Sequence, residues 1–426
     1  MLTSRLKEAR KIEDVVRLVE QHADAFNAIH CSLAWTFLGK QKRDCCKKEN
    51  LDGLTRVVKQ THAHVSACDA KALNTIVHGA ARGRVRVPGS RELFLAVMKE
   101  SIPRLHEFNA LGLANMAWAY ATVGHFSGPA TPDSCSELFD AIAAAASRQL
   151  EQCGPPTLVS IAWAFAKVGH PAPALFEAIA PTLTPAMGNS TSHNLANTAW
   201  SYAKMGHPDA ALFDAIAAAA SPRLREFETH DLANVAWAYA TAGHSAPALF
   251  DGIAKRLVAR GADGFNAQDI SNVAWAFAKV GHSAPGLLDA MAVTAAQRLS
   301  NHMGNLSTMN LANMAWAYAK AERSVPALLD AIAAEAVARA AAFKPEDLAS
   351  LVWAYEKAGH SAPELLDAIA AAEAGAGEAE GKASVGVTEV SAAAEGGAGA
   401  VEADAGGEED GAVAADDEGE ADGGPE

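Results

Sequence analysis

Apolar and polar positions along most of this chain follow the 3.6-residue period of a helix, and the helical segment itself recurs. In residues 231–251, reading D-L-A-N-V-A-W-A-Y-A-T-A-G-H-S-A-P-A-L-F-D, the apolar Leu232, Val235, Ala236 and Tyr239 fall at i, i+3, i+4 and i+7. Asp231 is placed to cap the start of this helix and Gly243 to end it. Pro247 stands where a second helix begins, because its fixed φ suits the first helical position and its missing N–H costs nothing there. Leu249, Phe250 and Ile253 then supply an inward face. The stretch predicts an αα-hairpin.

Near-copies carry tryptophan at Trp118, Trp163, Trp200, Trp237, Trp275, Trp316 and Trp353, spaced 45, 37, 37, 38, 41 and 37 residues apart. A period in this range marks a stacked repeat protein, whose single unit cannot bury its own apolar face. The caps recur as Asn194, Asp269, Asn310 and Asp347, the glycine stops as Gly124, Gly169, Gly206, Gly281 and Gly359, and the prolines as Pro173, Pro285, Pro326 and Pro363. Two weaker units centred on Trp35 and Val77 precede the regular ones. The expected fold is all-α, an αα-hairpin repeat superhelix (α-solenoid) of about nine units. A capping helix spans 1–21, two degenerate basic hairpins 22–105, seven regular hairpins 106–370 and a disordered Ala/Gly/Glu/Asp-rich tail 371–426.

On a helical wheel the Leu, Val and Tyr positions share one side, and Asn234, Trp237 and Thr241 lie nearly opposite. The Asn position recurs as Asn115, Asn197, Asn272 and Asn313, and the Thr position becomes Lys167, Lys204, Lys279, Lys320 and Lys357. Stacking would line these up as ladders. The asparagines either bridge neighbouring units or face a groove and bind a ligand. The tryptophans either pack between units or stack on bases, and the lysines either form a solvated face or contact phosphates.

Charge adds a direction. The net −15 comes from the tail, where residues 371–426 hold 16 acidic residues and one lysine, so residues 1–370 carry 34 of each sign. Residues 1–105 hold 19 basic and 11 acidic side chains. The basic runs Lys40, Lys42, Arg43, Lys47, Lys48 and Arg82, Arg84, Arg86, Arg91 lie in the turns of the first two units, so stacking places them on one edge, where a polyanion is first drawn. The six cysteines show no C-x-x-C spacing and read as reduced thiols. No apolar run reaches the ~18 residues a membrane span needs. Residues 1–21 carry too many acids for a transit peptide.

No P-loop, H-E-x-x-H, zinc-spaced or paired-carboxylate motif is present. The Gly-His-Ser triplets at Gly243, Gly281 and Gly359 resemble a serine nucleophile elbow, but Pro247, Pro285 and Pro363 stand where its last glycine belongs, and they read as capping turns. The turn histidines read as structural. The sequence therefore predicts a binding module without cofactor, metal, membrane or small-molecule substrate, and not an enzyme.

The phrase L-A-N-x-A-W-A-[YF]-A-[KT]-x-G-H, followed by L-[LF]-D-A-I-A, resembles the octotricopeptide and heptatricopeptide repeats of algal and apicomplexan organelle proteins, akin to the animal FAST-kinase-like family, over roughly residues 20–370. The resemblance implies an α-solenoid that binds organelle RNA and supports transcript stability, processing or translation in a chloroplast or mitochondrion. Such proteins often end in a RAP domain, and here the acidic tail stands in its place as a possible protein-binding segment. On this reading Asn115, Asn197, Asn234, Asn272 and Asn313 would meet base edges of single-stranded RNA, and Lys167, Lys204, Lys279, Lys320, Lys357, Arg82, Arg84 and Arg86 its phosphates. The alternative is an armadillo- or HEAT-like scaffold that holds an extended peptide.

Overall fold

Alanine and leucine at the periodic positions do what their helix propensity dictates. The computed structural model describes residues 2–124, 132–261, 264–301 and 306–380, side chains of 132–134 and 373–380 excepted. It is all-α among these residues and built of stacked αα-hairpins. They divide into two units, residues 1–183 and 184–380.

The first unit opens with α1 (Leu2–Lys7) and α2 (Ile12–Gln21), two helices where one was expected. It continues with α3 (Ala28–Leu38), the single turn α4 (Lys42–Cys45), α5 (Leu51–His62), α6 (Ala70–Arg82), α7 (Ser90–Ser101), α8 (Ala110–Val123), α9 (Pro132–Ser147), α10 (Pro155–Val168) and α11 (Pro173–Leu183). The first helices of its hairpins form one layer, α3 on α6, α6 on α8 and α8 on α10, and the second helices form another.

The second unit contains α12 (Ser192–Lys204), α13 (Ala210–Ala220), α14 (Thr229–Ala242), α15 (Pro247–Arg260), α16 (Ala267–Val280), α17 (Pro285–Ser300), α18 (Thr308–Lys320), α19 (Pro326–Ala338), α20 (Pro345–Ala358) and α21 (Pro363–Glu380). Here α12, α14, α16, α18 and α20 stack in sequence, with α15, α17, α19 and α21 alongside. The prolines begin their helices as the sequence predicts.

The caps differ from expectation by three residues. Glu228, not Asp231, is the N-cap of α14, and Asp231 sits one turn inside, where its carboxylate accepts the Glu228 backbone N–H at 3.2 Å. Asn266 and Asp269 repeat this capping box on α16, while Thr191 and Ser307 cap the helices on which Asn194 and Asn310 were expected to. At the far end, Gly243 and Gly281 adopt positive φ, and the following histidine N–H bonds the carbonyl five residues back, closing a Schellman turn.

Successive hairpins are stapled by one recurring bond. Tyr239 donates its buried hydroxyl to the Phe213 carbonyl at 2.6 Å, as do Tyr120 to Phe94, Tyr318 to Leu288 and Tyr355 to Leu329. Where phenylalanine replaces tyrosine, Phe165 and Phe277 meet Phe139 and Phe250 edge-on instead. No helix among the described residues is long and apolar enough to cross a membrane. The tail beyond Glu380, and most of the two long spacers expected at 126–134 and 300–307, lie outside the described residues.

Candidate nucleic-acid interface

The face that carries the asparagines is not a groove. Asn313 is 0% exposed, Asn234 and Asn272 are 1% exposed, and Asn197 is buried; Asn115 alone of the five is half-buried. Alanines flank the asparagines at positions 233 and 236 on α14 and at 312 and 315 on α18, and Ser271 and Ala274 take these places on α16; all are buried. They let neighbouring first helices approach until the space between them closes. This corrects the expected base-edge contacts of Asn197, Asn234, Asn272 and Asn313, since a buried amide cannot reach a base.

Two asparagines are held by a polar link that crosses between hairpins. The Asn197 amide nitrogen lies 2.9 Å from His193 Nε2, and His193 Nδ1 lies 3.1 Å from the Asp231 carboxylate on the next hairpin. The same link runs from Asn234 through His230 to Asp269, at 2.9 and 3.2 Å. An amide nitrogen can only donate, so each ring carries its hydrogen on Nδ1 and gives it to the carboxylate. The i, i+4 spacing of His193 to Asn197 and of His230 to Asn234 is the sequence signal for this lock.

The tryptophans are core except Trp353, which is half-buried. Trp35, Trp200, Trp237 and Trp316 are fully buried, and the Trp35 indole N–H donates to Thr61. Among the described residues the exposed large apolar side chains are all aliphatic, while Phe37 and Trp353 are half-buried.

The cations lie elsewhere, on the edge formed by the turns between first and second helices. Lys167, Lys204, Lys279, Lys320 and Lys357 all stand in the last turn of their helices, a position favoured by the helix dipole. Lys279 reaches over the Trp275 ring, Lys357 pairs with Glu322 at 3.5 Å, and Lys320 borders a cleft with His282, Ser283 and Arg323. Acids share this edge. Four turn histidines bond an exposed aspartate of the preceding hairpin: His170 to Asp140 in the first unit, and His244 to Asp214, His282 to Asp251 and His360 to Asp330 in the second. Arg323 takes the histidine's place opposite Asp289. The lysine row is therefore a mixed-charge edge. Residues 184–370 carry 13 basic and 17 acidic side chains, whereas residues 1–183 carry 21 and 17.

The surplus is concentrated where α3 and α6 end. Residues 39–50 and 82–91 contain nine basic and two acidic side chains. Lys40, Arg43, Lys48, Arg84 and Arg86 are exposed, Lys42 and Arg82 half-buried, and only Lys47 is spent on an ion pair, with Asp44 at 2.7 Å. Arg84 has φ +52, two residues past the end of α6, the place taken by Gly206 after α12. A left-handed conformation costs a side-chain-bearing residue about 1–2 kcal/mol. The fold thus places an arginine where glycine would be the more stable choice.

Comparison with known proteins bears on this edge. The family model of the RNA-editing substrate-binding complex 6 protein matches residues 41–299 and, in a second register, 132–357. The chain belongs to the RNA-editing substrate-binding complex 6 protein family. The overlap of the two matches is what a repeat array produces, since one run of hairpins aligns in more than one frame. None of the curated proteins compared with the chain matches it.

Further arginines of this family member are structural. Arg104, Arg223 and Arg339, at the ends of second helices, donate to the carbonyls of Cys68, Ser190 and Leu306 and close their own hairpins. Burial pushes the thiols of Cys31 and Cys45 up to about 12 and that of Cys68 to about 11, away from the thiolate that nucleophilic chemistry requires. Among the described residues no three His, Cys, Asp or Glu side chains are gathered to hold a metal.

Proposed function

We propose that this protein binds single-stranded RNA in an RNA-processing assembly and acts by binding rather than by catalysis. The carrying observation is the cationic turn pair at 39–50 and 82–91, whose exposed Lys40, Arg43, Lys48, Arg84 and Arg86 have no acidic partner among the described residues. Free guanidinium and ammonium groups in a row are what a phosphate backbone requires, since each phosphate neutralised releases a counterion. The family description points the same way, naming a protein of an RNA-editing substrate-binding complex. The likeness of the repeats to octotricopeptide proteins supports an organelle transcript as the RNA, in a chloroplast or mitochondrion. The acidic tail is the segment best suited to partner proteins of such an assembly.

The test is RNA affinity measured across a range of salt. Association that falls with log salt at a slope of about −0.7 per phosphate contacted supports the reading. A flat dependence, or no RNA binding, rejects it and leaves the extended-peptide scaffold, which the near-neutral body would also suit.

A further inference from the structure

Resting on that RNA-binding reading, we infer that the chain recognises single-stranded nucleic acid through its phosphate backbone at the paired turns after α3 and α6, without reading base identity. Two independent observations meet here.

The first is that the turns form one surface. At the crossing of α3 and α6 no side chain separates the backbones: a Cβ on Gly79 would lie 2.3 Å from the Trp35 carbonyl oxygen, one on Gly39 3.0 Å from the Gly79 Cα, and one on Gly83 2.9 Å from the Leu38 carbonyl oxygen. The C-terminal ends of both helices are thereby drawn together, and the turns of residues 39–48 and 83–89 both start from this crossing. Arg84, kept in a backbone conformation glycine would fill more comfortably, and Arg86 two residues on, both exposed, carry charge outward from this point. The flanking carboxylate Asp44 is already engaged by Lys47.

The second is that the asparagine and tryptophan rows of the regular hairpins in the second unit, α12 to α18, are closed to a base. Reading a base edge needs a donor or acceptor that reaches it, and sequence-tolerant stacking needs an exposed ring. The asparagines of α12, α14, α16 and α18 are buried, those of α12 and α14 committed to His193 and His230. The tryptophans of the same helices are buried as well. On the first two hairpins the exposed Lys40, Arg43, Lys48, Arg84 and Arg86 outnumber the other exposed polar groups of the two turns, and charge sees phosphates, which every sequence shares.

The experiment uses the full chain and four probes of equal length: oligomers of uridine, of cytidine and of adenosine, and a deoxythymidine oligomer. With phosphates alone recognised, the four affinities agree within about threefold, and R84E/R86E weakens all four together. One RNA preferred by about tenfold or more, the discrimination a single good base contact supplies, overturns the inference while leaving RNA binding intact. Rejection of the DNA by the same margin does so too, since it means the 2′-hydroxyl is read. Binding of none of the four defeats the RNA reading itself and this inference with it.

Discussion

Gly79 of α6 lies against the main chain of Trp35 in α3 so closely that a methyl group in place of its hydrogen would sit 2.3 Å from the Trp35 carbonyl oxygen. The obstructing atom is backbone and cannot swing aside. Gly79→Ala gains up to about 1 kcal/mol of helix propensity, but overpacking costs about 1–3 kcal/mol, and here both helices must move. We expect G79A to lower the urea midpoint of unfolding and to weaken nucleic-acid binding, because the turns after α3 and α6 separate. An unchanged midpoint would show that the two helices slide apart freely.

Arg84 offers a test in which stability and binding move in opposite directions. Arg84→Gly relieves a positive φ at the end of α6 and should stabilise the fold by about 1 kcal/mol. The same change removes an exposed cation, so RNA affinity should fall and the salt slope flatten by up to about one contact. A variant that is more heat-stable yet binds RNA as tightly as before would remove Arg84 from the interface.

His78 makes the first unit sensitive to acid. It is half-buried in α6 with its ring edge-on to Trp118 at 5.4 Å, and burial, reinforced by the nearby Arg82, lowers its pKa from 6.5 to about 4. The folded state therefore resists a proton that the unfolded chain accepts. The stability this histidine permits is complete above about pH 6.5 and is lost progressively as the pH falls toward 4, by an amount on the order of 3 kcal/mol. Urea titrations at pH 7.5 and 4.5 should show a fall that His78→Leu reduces. An equal fall in the variant would assign the acid sensitivity to other groups.

The hairpin, its period and its proline starts were legible because each depends on residues within about forty positions of one another. The exposure of the asparagines was not legible. A helical wheel reports which way Asn272 or Asn313 points; whether water reaches it depends on how near the neighbouring helix comes, and the alanines at 274, 276, 312 and 315 permit an approach that the wheel does not contain. The cap positions slipped for a related reason. Asp231 and Asp269 are acids at the third helical position of a capping box, and the residue pair that defines such a box starts three places earlier. The basic turns were recognisable from composition, whereas the meeting of those turns through Gly39, Gly79 and Gly83 required the packed helices.

The tail can be tested against the same edge by charge alone. Residues 381–426 carry 13 acidic side chains and one lysine, covalently joined to a chain whose first unit has a basic surplus. A tethered polyanion competes with RNA at an effective concentration set by the link. Truncation after Glu380 should therefore tighten RNA binding at low salt, and the difference should shrink as salt screens the internal competitor. Parallel salt titrations of the full and truncated chains decide it: superimposable curves would mean that the tail acts on something other than the cationic turns.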